Sequence, residues 1–119
     1  MTPLLGWAAH LPRYRLARVD VGLRRGDRVV AAFDEDSTTM AVAASAGRPR
    51  VRAAAALQFA TSTPAHADKT NATVIHAAPG LPADCLAVDF CGSGGFAALV
   101  AAASGDGLAV SAGVRVGRP

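Results

Sequence analysis

The stretch Leu86–Val100, LAVDFCGSGGFAALV, constrains the fold more than any other part of this chain. An apolar run of strand length leads into a glycine-rich turn, and a second apolar run of helical length follows. This pattern predicts a strand, a tight turn and a helix. Such a turn surrounds its side chains with unpaired backbone N–H groups and with the positive end of the helix dipole.

Five residues of the predicted turn are candidates for chemistry. Cys91 and Ser93 are the candidate catalytic residues, since a cysteine in this position is held where the charged thiolate is favoured. Gly92, Gly94 and Gly95 are the candidate substrate-binding residues, because glycine lets a ligand approach the backbone closely.

Strand and helix patterns alternate along the rest of the chain. The charged stretch Arg13–Val30 predicts only a ragged helix or loop. The predicted strands are Leu4–Leu11, Ala53–Thr61, Leu86–Phe90 and Leu108–Val114, and the predicted helices are Asp34–Ala46, Lys69–Ala78 with Asp68 as its cap, and Gly94–Ala103. This alternation predicts an α/β fold in which helices cover a mainly parallel sheet.

Composition narrows the class of protein. A length of 119 residues corresponds to at most one domain, here residues 1–119. Basic and acidic residues alternate in the first half and form no continuous basic stripe, and Tyr14 is the candidate beside them for stacking on bases, so no nucleic-acid partner is predicted. No apolar run approaches the roughly 20 residues of a membrane span. The N-terminus is apolar before it is basic, the reverse of a signal peptide, so we expect a cytoplasmic protein.

No metal site is predicted. Cys85 and Cys91 belong to no CxxC motif or cysteine–histidine cluster, and Cys85 is expected to be a small buried hydrophobic residue. The acidic run Asp34–Asp36 stands before an apolar periodic stretch and is expected to cap a helix, because adjacent carboxylates point in different directions.

Three chemistries compete for the glycine turn. Gly92, Gly94 and Ala97 fit the local form of a dinucleotide-binding fingerprint, but no acidic residue follows at the distance that would hold a ribose. A nucleophile elbow at Ser93 would need a later histidine, and none follows His76. The third is a cysteine nucleophile that accepts an acyl group, with helix-terminal amides stabilising the oxyanion.

Blocks spread over nearly the whole chain carry a family resemblance. They are GWAAHLPRYR at Gly6–Arg15, FDEDSTTMAVAA at Phe33–Ala44, FATSTP at Phe59–Pro64, KTNATVIHAAPGLP at Lys69–Pro82 and VRVGRP at Val114–Pro119. In these blocks the chain resembles the N-terminal part of a hydroxymethylglutaryl-CoA synthase of the bacterial and archaeal type. That family belongs to the thiolase-like superfamily, which also contains the ketoacyl synthase III enzymes.

The resemblance implies a thiolase-like N-terminal half and a condensing reaction. An acyl group would pass from acyl-CoA, the substrate, to Cys91, and a Claisen-type condensation with a second acyl-CoA would follow. No tightly bound cofactor is implied, and the expected partner is a second copy or another thiolase-like chain. The family often reads Cys-x-Gly-Gly, whereas this chain is one residue longer there, so Cys91 and Ser93 both remain candidates for the nucleophile.

Two departures from the family pattern keep other functions open. Hydroxymethylglutaryl-CoA synthases carry a glutamate acid–base where this chain has Ser62, whereas ketoacyl synthase III enzymes lack that glutamate. The family's catalytic histidine and asparagine come from a second half, and His10, His66 and His76 match no catalytic position; the first two are expected to face solvent. The alternatives are therefore a ketoacyl synthase III-like acyltransferase and a non-catalytic assembly half.

Overall fold

A computed structural model describes residues 4–22, 25–46, 53–92 and 95–114, without the side chains of Val21 and Phe96. The elements are β1 (Tyr14–Ala17), a 3-10 helix (Arg18–Val21), β2 (Asp27–Val30), α1 (Ser37–Ser45), β3 (Ala56–Thr61), α2 (Asn71–Ala77), β4 (Leu86–Cys91), α3 (Gly95–Ala102) and β5 (Gly107–Ser111).

A three-stranded parallel sheet with the order β4-β3-β5 forms the centre of the fold. Leu57 and Phe59 of β3 are fully buried in one hydrophobic cluster with Ala41 of α1 and Ala72 and Ile75 of α2. The third helix, α3, packs against β3 and β5 on the opposite face of the sheet. The predicted α/β fold with a mainly parallel sheet and covering helices is therefore confirmed.

The N-terminal part differs from the prediction. The stretch Leu4–Leu11 contains no strand, and its large side chains are exposed. Instead, β1 and β2 form an antiparallel hairpin within Arg13–Val30, where only a ragged helix or loop was expected. A strand forms only where a second strand supplies hydrogen bonds, and an apolar run cannot show whether it has such a partner.

The acidic run before α1 caps that helix, as predicted. Asp36 is the N-cap residue: its side chain accepts from the Thr39 amide at 2.8 Å, and the Thr39 hydroxyl accepts from the Asp36 amide at 2.8 Å. This reciprocal pair is a capping box, which satisfies amides that the helix itself cannot pair. The helix begins at Ser37, so the prediction placed its start a few residues too early.

Glu35 links the N-terminal segment to this turn. One of its oxygens accepts from the Ala32 amide at 2.8 Å, and the other lies 2.7 Å from His10 Nε2. The hydrogen bond from Ala32, followed by that from His10, lowers the pKa of Glu35 below its ordinary value of 4.5. The expectation that His10 faces solvent is therefore wrong, since its ring is half-buried against Glu35.

The cap of α2 comes from a neighbouring strand and not from Asp68, so the predicted cap is wrong. Thr70 occupies the N-cap position without a side-chain hydrogen bond, and the helix begins at Asn71. The Asp89 carboxylate of β4 accepts from the backbone amides of Asn71 and Ala72, both at 2.7 Å. A carboxylate at a helix N-terminus satisfies free amides and complements the helix dipole.

We expect Asp89→Ala to lower the free energy of unfolding by about 2 kcal/mol, because it leaves the first amides of α2 without acceptors. Urea unfolding followed by circular dichroism measures this change. Asp68→Ala is the matched control and should change stability by less than about 0.5 kcal/mol. Equal losses in the two variants would contradict the assignment of Asp89 as the cap.

Candidate active site

Cys91 is the last residue of β4 and is exposed to solvent. It lies opposite Thr61 in the parallel register, and the next amide, that of Gly92, donates to the Thr61 carbonyl at 3.0 Å. Gly92 has a φ of 80°, in the left-handed region that favours glycine, so the strand ends there. Pairing with β3 therefore holds the backbone both before and after Cys91.

The helix that follows begins at Gly95, as the strand–turn–helix pattern predicts. The structure therefore places Cys91, Gly92 and Gly95 at the junction of β4 and α3. Ser93 and Gly94 lie outside the described residues, so their catalytic and substrate-binding roles stay predictions.

Gly95 sits where α3 packs closely against the end of β5. A Cβ atom built at Gly95 would lie 2.9 Å from the Ser111 Cβ atom and 3.1 Å from its hydroxyl oxygen. Real side chains do not approach this closely, so the absence of a side chain at Gly95 brings the two backbones together. The observed contact of Gly95 is thus one of packing, and its proposed role toward substrate stays a prediction.

Hydroxyl groups tie together the segments beside Cys91. The Ser37 hydroxyl of α1 donates to the Thr63 carbonyl at 2.7 Å. The Thr63 amide donates to the Thr61 hydroxyl at 3.0 Å, and the Thr63 hydroxyl accepts from the Val114 amide at 2.9 Å. The loop that carries exposed Ser62 is therefore held from three directions. Sequence reasoning missed Thr63, although hydroxyl residues directly after a buried strand are a usable signal.

Asn71 fixes a second loop near the site. Its side-chain oxygen accepts from the His66 amide at 2.8 Å, and its side-chain nitrogen donates to the His66 carbonyl and to Asp89, both at 3.1 Å. Asn71 is almost fully buried, so each of these bonds replaces one to water. Because Asp89 precedes Cys91 by two residues on β4, the loop before α2 is anchored to the strand that carries the candidate nucleophile.

The two cysteines occupy opposite environments. Cys85 is buried, and burial, followed by the nearby Asp84 charge, raises the pKa of its thiol. The prediction that Cys85 is a small buried hydrophobic residue is therefore confirmed. Cys91 is free and exposed, so it is the thiol that a thioester could reach.

Within the described ranges, no hydrogen bond joins the Cys91 sulfur to another residue. The histidines are engaged elsewhere: His10 contacts Glu35, His76 Nε2 lies 2.9 Å from the Pro82 carbonyl oxygen, and the backbone of His66 binds Asn71. The described residues hold no group of three or more side chains suited to a metal ion. None of the described helices has the length and apolar character needed to cross a bilayer.

Solved structures identify the fold. The chain shares its fold with part of each of three solved synthase structures. β-Ketoacyl-[acyl carrier protein] synthase III from Thermus thermophilus matches with a TM-score of 0.72 and 22% identity over 87% of this chain. This chain spans 38% of that structure, well under half of its length.

Two further structures agree. A 3-oxoacyl-(acyl-carrier-protein) synthase III matches with a TM-score of 0.64 and 21% identity, over 83% of this chain and 36% of its own. A 3-oxoacyl-(acyl-carrier protein) synthase from Burkholderia xenovorans LB400 matches with a TM-score of 0.63 and 21% identity, over 85% of this chain and 37% of its own. Identity at this level establishes a shared fold. No protein-family model and no curated protein matches the chain.

Gly95→Ala should lower the free energy of unfolding by about 1–2 kcal/mol, because the added methyl group collides with Ser111. Chemical denaturation measures the loss. Gly105→Ala is the matched control, since nothing lies within 4 Å of a Cβ atom there. Adding Ser111→Gly to Gly95→Ala removes the colliding atom and should restore part of the stability. A Gly95→Ala protein as stable as the parent would contradict the close contact.

Proposed function

We propose that this protein accepts an acyl group from an acyl thioester on the sulfur of Cys91. The observation that carries the proposal is the position of Cys91, which is exposed at the carboxyl end of β4 and directly precedes the Gly92 turn into α3. The carboxyl edge of a parallel sheet is where α/β proteins commonly place ligand sites. Acyl-CoA is the proposed substrate, with no tightly bound cofactor.

The proposed reaction exchanges one thioester for another. The Cys91 thiolate attacks the thioester carbonyl, a carbon–sulfur bond to Cys91 forms, and the bond to the coenzyme A sulfur breaks. Coenzyme A leaves as its thiolate and takes a proton from solvent, so no oxidant or reductant is needed. Free amides at the start of α3 would stabilise the oxyanion of the intermediate, and this supports a nucleophile at the end of β4.

Two condensing reactions are compatible with an acyl-cysteine. The sequence resemblance favours hydroxymethylglutaryl-CoA synthase, whereas the structural neighbours are ketoacyl synthase III enzymes. Ser62 stands in the segment where the former family has its glutamate, and a hydroxyl cannot act as an acid–base near neutral pH. We therefore favour ketoacyl synthase III-like chemistry, and the hydroxymethylglutaryl-CoA synthase reaction stays a prediction. Either condensation would need a base from a second half or a partner chain.

Incubation of the purified chain with acetyl-CoA should give a single acetyl adduct by intact-mass spectrometry. The adduct should disappear in Cys91→Ala, because the accepting sulfur is gone. Cys85→Ala is the matched control and should keep the adduct, since Cys85 is buried and its raised pKa keeps it a thiol. Ser93→Ala tests the alternative nucleophile. An adduct that persists in Cys91→Ala, or no adduct at all, would sink the proposal.

A non-catalytic assembly half is the second candidate function, and α3 favours it. The sequence of this helix, GFAALVAA, contains no polar side chain. Even so, Leu99 is 50% exposed and Val100 is 55% exposed. A helix that is apolar on all sides is normally buried, so this surface is suited to contact with a second copy or another thiolase-like chain.

Leu99→Glu should lower the average mass of the protein in solution, because a charge on α3 opposes burial of its apolar face. Size-exclusion chromatography with light scattering measures the mass, and the parent chain is expected to be a dimer. Ala77→Glu, on the exposed side of α2, is the control and should leave the mass unchanged. A monomeric parent chain would argue against self-assembly.

A further inference from the structure

The parallel register places Thr61 of β3 directly opposite Cys91 of β4. Residues opposite each other in neighbouring strands carry their side chains on the same face of the sheet, and the two backbones lie about 4.8 Å apart. The Gly92 amide donates to the Thr61 carbonyl at 3.0 Å, so the pairing continues to the last residue of each strand. Thr61 is therefore the cross-strand neighbour of the candidate nucleophile.

The packing of the two strands shows which face these residues share. Side chains two residues apart in a strand lie on one face, so Thr61 lies on the face of Phe59, and Cys91 lies on the face of Asp89. Phe59 is buried in the cluster formed with α1 and α2, and the Asp89 carboxylate binds the first amides of α2. The side chains of Thr61 and Cys91 therefore both lie on the face of the sheet that α1 and α2 cover.

The Thr61 hydroxyl has a proton to donate to a further acceptor. Its oxygen accepts from the Thr63 amide at 3.0 Å and lies 3.5 Å from the Thr63 hydroxyl oxygen, which can be the donor in that contact. The Thr63 hydroxyl oxygen itself accepts from the Val114 amide at 2.9 Å. Because Thr61 is only 2% exposed, water has little access to its proton, and the sulfur of Cys91 is the acceptor that the register places beside it.

Ionisation of Cys91 would create a strong acceptor for this proton. A neutral thiol sulfur accepts hydrogen bonds only weakly, which is consistent with the lack of one between the sulfur and any described residue. A thiolate carries a full negative charge, and hydrogen bonds to charged groups are stronger than those between neutral groups. Because the Cys91 side chain is exposed, rotation about its Cα–Cβ bond can bring the sulfur toward β3 without moving either strand.

We propose that Thr61 is a second residue of the acyl-accepting site and that its hydroxyl donates a hydrogen bond to the Cys91 thiolate. The bond favours the nucleophilic form of the sulfur and holds it at the carboxyl edge of the sheet, where a thioester can reach it. Thr63 acts through Thr61, because its amide and its hydroxyl both contact the Thr61 oxygen and direct the Thr61 proton away from the loop. The inference rests on the acyl transfer proposed for Cys91.

Alkylation of Cys91 by iodoacetamide in the full chain, quantified by peptide mass spectrometry, tests the inference. Iodoacetamide reacts with the thiolate, so Thr61→Val should slow the modification of Cys91 about fivefold. Thr61→Ser retains the hydroxyl and should keep the rate within about twofold of the parent. Thr73→Val removes a hydroxyl on α2 that bonds to the Thr70 carbonyl, and as the matched control it should leave the rate unchanged. Cys85 is buried and should stay unmodified in every folded variant.

A second variant separates the hydroxyl from the turn that holds it. Thr63→Val removes the acceptor of the Val114 amide but leaves the Thr61 hydroxyl in place, so it should slow the alkylation of Cys91 less than Thr61→Val does. If Thr61→Val does not fold, Thr61→Ala repeats the comparison with a smaller side chain. An unchanged rate in Thr61→Val, or an equal loss in Thr61→Ser or Thr63→Val, overturns the inference. A parent chain that takes no acetyl group from acetyl-CoA overturns the proposed function alone, because alkylation reports on the thiolate without an acyl donor.

Discussion

The double-sided pairing of β3 is the constraint on which the rest of the structure depends. Its neighbours β4 and β5 run parallel to it on either side, and its residues Leu57 and Phe59 are completely buried. The register places Thr61 opposite Cys91 and Ala60 opposite Ser111. The pairing with β3 therefore determines how far β4 and β5 each extend along the sheet. The candidate nucleophile and the end of β5 are thus both positioned by hydrogen bonds to β3.

A single carboxylate couples the helical layer to this edge. Asp89 leaves the sheet as a β4 side chain and accepts three hydrogen bonds at the start of α2, two from backbone amides and one from the Asn71 side chain. The same Asn71 closes the loop at His66. Since a strand residue and a helix N-terminus share one cluster of polar groups, displacement of α2 would be transmitted to the strand that carries Cys91.

The described surface has three features that a self-contained domain normally covers. The outward face of α3 is apolar, and the two outer strands of the central sheet, β4 and β5, each have an unpaired edge. Natural proteins usually protect such edges and faces by pairing or burial, because they otherwise promote association. These three features make the described surface suited to contact with further polypeptide.

The sequence alone determined the local structure of the central region. The apolar run, glycine turn and apolar helix around Cys91, the acidic cap before α1 and the burial of Cys85 all follow from neighbouring residues, and all were predictable. Tertiary structure decided the rest. Asp89 replaces Asp68 as the cap of α2 because the acceptor comes from another strand. Leu4–Leu11 forms no strand, because strand formation needs a partner edge. Only the folded chain brought His10 against Glu35 and Ser37 against Thr63, since contacts between distant residues leave no periodic pattern in a sequence.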